Sequence, residues 1–176
     1  MVFDIDEIPE EGLDFEILKE KSHFQIDLKD CSLTKDVDLK GTLRKIEKDV
    51  YFNGKVNAGL LVQCSRCLEL FEIETDSLVS ARFVPKSHAD GQDAEIELHV
   101  DDIDTEPYEG NRIDLTQTVR DQILLSLPAV CVCKESCEGL CPECGVNRNL
   151  VPCDCLAELD TDPRLKILKT LKDKLK

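Results

Sequence analysis

Gly59-Leu60-Leu61-Val62-Gln63-Cys64-Ser65-Arg66-Cys67-Leu68-Glu69-Leu70-Phe71-Glu72-Ile73 is the stretch whose reading decides the fold. Its flanks, Gly59–Val62 and Leu70–Ile73, both read as strands, which leaves Cys64–Leu68 as the turn between them. A thioredoxin-type redox pair would open a helix, where the dipole lowers a thiol pKa, and a turn between strands supplies no such dipole. Cys64 and Cys67 are therefore read as the tip of a β-hairpin, closed by a weak metal site or by buried thiols.

Working outward, Leu13, Phe15 and Ile17, then Phe24, Ile26 and Leu28, alternate with polar residues in the period of half-buried strands. Further strand-like runs cover Val37 to Ile46, Tyr51 to Gln63, Phe71 to Phe83 and Ile96 to Val100, and Asn53-Gly54 reads as a turn. One helix is expected at about 114–127. Asp114 is its N-cap, Leu115, Val119, Ile123 and Leu127 form one apolar face, and Pro128 ends it. A second begins at Asp162-Pro163 and carries Arg164, Lys166, Lys169, Lys172, Lys174 and Lys176 around an apolar side of Leu165, Leu168 and Leu175. The fold class expected is α+β: an antiparallel sheet or small barrel with one packed helix, then a Cys-rich module and a terminal amphipathic helix. Residues 1–130 would form the acidic β-rich domain and residues 131–176 the Cys-rich module with its basic helix.

The module holds six cysteines within residues 133–155, at Cys133, Cys137, Cys141, Cys144, Cys153 and Cys155. Cys141-Pro142-Glu143-Cys144-Gly145 has the form of a zinc knuckle, with a Pro to stiffen the turn and a Gly to take positive φ. Because a closed tetrahedral site takes four ligands, the expected set for a structural Zn2+ is Cys137, Cys141, Cys144 and Cys155, with Cys133 and Cys153 as substitutes. A disulfide framework is disfavoured because the N-terminus, Met1-Val2-Phe3-Asp4-Ile5-Asp6-Glu7, has no basic or apolar export signal, and the expected location is cytoplasmic. Cys137-x3-Cys141-x2-Cys144 also matches an iron–sulfur spacing, but that chemistry needs a large α/β scaffold. Cys31 and Cys131 are read as small core hydrophobes.

The net charge is −15, and all of it lies in residues 1–127; residues 128–176 are balanced. Such a surface repels phosphate backbones over a screening length of about 8 Å and suits a basic partner. The segment Ala89 to Gly110 has nine acidic residues and no Lys or Arg, a solvated loop or a docking surface for a basic protein. No run approaches the roughly 18 apolar residues that span a membrane. There is no glycine-rich phosphate loop or nucleophile elbow, and His23, His88 and His99 are scattered, so no catalytic residue is expected.

Cys64-Ser65-Arg66-Cys67-Leu68 after a strand, Ile113-Asp114-Leu115 opening a helix that ends Leu127-Pro128, Cys137-Glu138-Gly139-Leu140-Cys141-Pro142-Glu143-Cys144-Gly145, and Asp162-Pro163-Arg164 before a terminal helix together resemble the YceD family. These are large ribosomal RNA subunit accumulation proteins of bacteria and chloroplasts. The resemblance runs from about Cys64 to Leu171 and departs from the usual Asn-Leu-Asn turn at Asn147-Arg148-Asn149. It implies a non-enzymatic role in accumulation of 23S ribosomal RNA and assembly of the large subunit. The partners it implies are 23S rRNA or its precursor, a basic large-subunit ribosomal protein, or both, with no membrane and no small-molecule substrate. On this chain Cys64, Arg66 and Cys67 at the hairpin tip, and Lys166, Lys169 and Lys172 on the basic helix, are the binding residues expected. The alternative is a zinc-stabilised thiol redox protein using Cys64 and Cys67.

Overall fold

The two strands expected on either side of Cys64 form the backbone of the sheet. A computed structural model describes residues 1–26, 30–86 and 105–155. Its strands in chain order are β1 (Val2–Asp4), β2 (Leu13–Lys19), β3 (Cys31–Leu33), β4 (Val37–Ile46), β5 (Asp49–Gln63), β6 (Leu70–Pro85), β7 (Thr105–Tyr108) and β8 (Arg112–Asp114), followed by helix α1 (Thr116–Leu125). Short 3-10 turns occupy Ile5–Glu7 and Lys21–His23. The chain divides into two units, Met1–Gln63 with Leu70–Cys131, and Cys64–Glu69 with Val132–Lys176. This division differs from a single cut after residue 130, because the hairpin tip goes with the second unit.

In the first unit the sheet order is β2-β4-β5-β6-β7, with β3 also on β5, and β1 pairs with β8 in a separate two-stranded sheet. β5 is long enough to take two partners in succession along one edge, β4 against Asp49–Asn57 and β3 against Leu60–Val62. Along its other edge it pairs with β6 from Val50↔Phe83 to Gln63↔Leu70. The arrangement is mostly antiparallel, but β6 and β7 run parallel. A parallel pair needs a long crossover rather than a tight turn, and the chain between Pro85 and Thr105 supplies the length. Pro107 sits in β7, at the end of the sheet order, where a missing N–H costs no ladder bond.

The period-two pattern puts Val37, Leu39 and Leu43 of β4, Val50, Phe52, Val56 and Leu60 of β5, and Val79 and Phe83 of β6 into one core. Each such side chain contributes about 1.5–3 kcal/mol by leaving water. Leu115, Val119 and Ile123 are fully buried and Leu127 packs against them, as the helical period requires. The Asp114 carboxylate accepts the Thr116 N–H at 2.9 Å, although Leu115 occupies the formal cap position. No described helix is long and apolar enough to cross a membrane.

Two local expectations are corrected. Phe24 is buried but follows a 3-10 turn, and the strand of this region is Cys31–Leu33; Leu28 lies outside the described residues. Asn53-Gly54 is not a turn but the middle of β5, and the β4–β5 turn is made at Glu47, whose φ is 56°. The reason is steric. Gly54 faces Gly41 across the β4–β5 ladder, and a Cβ on Gly41 would sit 2.6 Å from the Phe52 ring, one on Gly54 2.8 Å from it and from the Lys40 carbonyl. The two glycines clear space for an aromatic ring laid over them, and Phe15, opposite Gly41, stacks on Phe52 at 6.0 Å. The expected strand Ile96–Val100, the helix from Asp162, and all but residues 105–110 of the acidic segment lie outside the described residues.

Gly54→Val tests this packing. Both neighbours of the new side chain are core ring or backbone, so the substitution should lower unfolding stability by about 1–3 kcal/mol, measured as a fall in urea midpoint at constant slope. An unchanged midpoint would mean the Phe52 ring is free to move aside.

Candidate metal centres

The described part of the second unit has no apolar core. Among its described residues the buried ones are Cys64, Cys67, Cys137, Gly139 and Cys141, and no Leu, Val, Ile or Phe is among them. A small stretch with so little apolar burial among its described residues calls for a staple. Its eight cysteines gather into two groups of four, Cys64, Cys67, Cys133 and Cys137, and Cys141, Cys144, Cys153 and Cys155, each with its sulfurs within 4.8 Å of one another. Either group could hold a metal ion.

The turn Cys64–Glu69 and the turn Cys141–Val146 are the same structure. In the first, the Leu68 N–H donates to the Cys64 carbonyl at 3.0 Å and the Cys64 N–H to the Glu69 carbonyl at 2.9 Å. In the second, the Gly145 N–H donates to the Cys141 carbonyl at 2.9 Å and the Cys141 N–H to the Val146 carbonyl at 2.8 Å. The residue after the second cysteine takes positive φ in both, 61° at Leu68 and 72° at Gly145. This winding turns the backbone N–H groups two and three positions on toward the first sulfur, the donor set of a metal-binding knuckle.

The electrostatics agree. Burial works to raise the Cys64 thiol, but backbone N–H groups of Cys133, Cys67 and Arg66 outweigh it and bring its pKa down to about 6. The N–H groups of Cys144 and Glu143 bring Cys141 to about 6. Their neighbours move the other way: burial and the adjoining sulfurs push Cys133 up to about 12, and hydrogen bonding and charge from Cys144 push Cys155 to about 12. Four thiols this close cannot all ionise unless a cation sits among them.

Spacing tests the fit. Four sulfurs about 2.3 Å from a tetrahedral ion lie about 3.8 Å apart, and a disulfide would need about 2.05 Å. Cys64 and Cys137 sulfurs are 3.9 Å apart, those of Cys67 and Cys133 3.7 Å, and all ten cysteines are free thiols.

The expected ligand set therefore splits. Cys141, Cys144 and Cys155 do come together, with Cys153, expected as a substitute, as the fourth; Cys137 instead lies with Cys133, Cys64 and Cys67. Linear spacing pointed to Cys137 because it lies four residues before Cys141, whereas its true neighbours are brought by the hairpin tip. The signal available in the sequence was the count: eight cysteines outside Cys31 and Cys131 make two sets of four. Arg66, expected as a binding residue, is exposed at the knuckle, and its Nη1 donates to the carbonyls of Glu135 (3.2 Å) and Cys137 (3.1 Å). It braces the loop that carries Cys133 and Cys137. Gly139 follows with φ 73°, and a Cβ there would lie 3.0 Å from the Arg66 carbonyl, which accepts the Leu140 N–H. Lys166, Lys169 and Lys172 lie outside the described residues.

A family model described as large ribosomal RNA subunit accumulation protein YceD matches residues 52–172. Uncharacterized proteins of Mycobacterium bovis and Mycobacterium tuberculosis are each 32% identical over 114 residues, which is 63% of this chain and 50% of theirs. A protein of Arabidopsis thaliana with the name large ribosomal RNA subunit accumulation protein YCED homolog 1, chloroplastic, is 37% identical over 49 residues, 28% of this chain and 15% of its own. The chain spans about half the length of the mycobacterial relatives it matches. No solved structure matches it.

Leu68 holds a backbone conformation that costs an L residue about 1–2 kcal/mol, and its side chain is 52% exposed. Leu68→Gly should therefore stabilise the first knuckle by up to about 1 kcal/mol, seen as slower loss of bound metal to a chelator. Faster loss would show that the Leu68 side chain matters more than its backbone.

Proposed function

This chain belongs to the YceD family of large ribosomal RNA subunit accumulation proteins, and from that membership we propose that it is a non-enzymatic factor for accumulation of 23S rRNA and assembly of the large ribosomal subunit. The observation that carries the reading is the family match, which spans both knuckles and the Cys-rich stretch between and after them. The name of the Arabidopsis relative supports it. The chain would act in the cytoplasm by binding 23S rRNA or its precursor, a basic large-subunit ribosomal protein, or both.

The metal is zinc in this reading. All-thiolate, four-coordinate sites suit a structural zinc ion, which fills its coordination with protein and leaves no position for water. Its contribution is to the fold of the second unit and not to a reaction. Thiol redox chemistry at Cys64 draws support from its lowered pKa. Against it stand Cys133 and Cys137, which complete a four-sulfur group around the Cys64–Cys67 pair and favour ligation.

For the partner, the acidity of residues 1–127 favours a basic protein, while Lys166, Lys169 and Lys172 favour phosphates. Arg66 enters as an exposed brace on the Glu135 and Cys137 carbonyls. Cells depleted of the chain should show a lower ratio of 23S to 16S rRNA and fewer large subunits; an unchanged ratio would overturn the assembly role. Replacing Lys166, Lys169 and Lys172 together by Glu should weaken association with pre-ribosomal particles and flatten its salt dependence by about one unit of log–log slope per lost phosphate contact. Sedimentation at low and moderate salt reads both, and unchanged association would shift the contact to the acidic surface.

A further inference from the structure

A side chain from the loop of the second sulfur group reaches a sulfur of the first. Asn149 lies in the loop between Cys144 and Cys153, so it belongs by sequence to the second group, yet its Nδ2 donates to the Cys137 sulfur of the first group at 3.4 Å. The same amide's Oδ1 accepts the Glu138 N–H at 3.1 Å, next to that ligand. Its Nδ2 and its backbone N–H also reach Asn147 Oδ1, at 2.8 and 3.0 Å, which fixes the amide plane. Asn147 in turn donates to Glu69 on the first knuckle at 3.4 Å. The loop carrying both asparagines is tied to the stretch between the groups by the Leu140–Asn147 bridge and by the Arg148 N–H on the Gly139 carbonyl at 3.0 Å.

We propose that the two four-cysteine groups bind metal cooperatively, with Asn149 as the positioning residue that carries the coupling. This rests on the reading of both groups as metal sites. The loop from Cys144 to Cys153 is closed at both ends by ligands of the second group: Cys141 and Cys144 precede it, Cys153 and Cys155 follow it. Filling that group pins the loop and holds Asn149 in place. An N–H donor aimed at a ligating sulfur draws off part of its negative charge and orients it, and outer-shell groups of this kind are worth about 10–100-fold in metal affinity. With the second group empty the loop loses two anchors, and the first group loses its donor. By linkage the dependence runs equally in the other direction.

The test is zinc release from the full chain into increasing chelator, with bound zinc and free thiols counted at each step. In the natural chain two zinc ions should leave together in one transition. With Cys141, Cys144, Cys153 and Cys155 all changed to serine, the single remaining zinc should leave at about 10–100-fold lower chelator activity. Asn149→Ala keeps all eight thiols, so it should still take up two zinc ions but release them in two separate steps. Asn149→Asp sets a carboxylate against the sulfur and should weaken the first group further. If Asn149→Ala fails to fold, the cysteine-depleted variant and its counterpart lacking Cys64, Cys67, Cys133 and Cys137 still measure the coupling. Two zinc ions released independently in the natural chain would overturn the coupling while leaving the metal reading intact. Coupled release that persists in Asn149→Ala would overturn the role of Asn149. A natural chain that takes up no zinc would overturn both.

Discussion

Among the described residues of the second unit, the buried side chains are all thiols. Apolar side chains supply the core of the first unit by the alternation of its strands, and the core there would form with any well-packed set of similar volume. Among the described residues of the second unit the buried positions are four cysteines and a glycine, which leaves its cohesion to whatever the sulfurs could bind. Everything else in that unit follows: the two knuckle turns that aim N–H groups at sulfur, the Arg66 brace on two carbonyls, and the asparagine loop folded back on Cys137. A structural metal site supplies folding energy directly, on the order of 10 kcal/mol or more, which is the scale needed where hydrophobic burial is absent.

The first four-sulfur group also sets the architecture of the chain. Cys64 and Cys67 come from the connection of the longest hairpin, and Cys133 and Cys137 from a segment more than sixty residues further on. Closing a loop of that length costs chain entropy that grows only slowly with length, and a metal held by both ends would offset it in one step. The hairpin connection thereby becomes part of the second unit rather than a solvent-exposed turn. The positive φ at Leu68 belongs to the same arrangement, since the knuckle winding requires it whatever residue is there.

Much of the first unit was legible in the sequence because its physics is local. The alternation at Leu13–Ile17, the long runs ending at Gln63 and beginning near Phe71, and the i, i+4 face of Leu115, Val119 and Ile123 each reflect one period read off neighbouring residues. Where the reading failed, a distant partner decided. Asn53-Gly54 looked like a turn, but Gly41 on the next strand and the Phe52 ring fix it as mid-strand. The parallel pairing of β7 has no local signature. In the second unit the presence of a four-cysteine site was legible and its membership was not. Cys64 and Cys67 stand apart in the sequence because the strand-like runs on both sides place them at a hairpin tip, and spacing along the chain says nothing about which pairs meet in space.

The account turns on whether eight thiols hold two metal ions. Native mass spectrometry of the untagged chain, purified without reductant exchange or added metal, measures this directly. The account predicts a mass increased by two zinc ions over the acid-denatured chain, with the eight clustered cysteines protected from alkylation until a chelator removes the metal. A metal-free chain, or one whose eight clustered cysteines are alkylated as readily without chelator as with it, would contradict it.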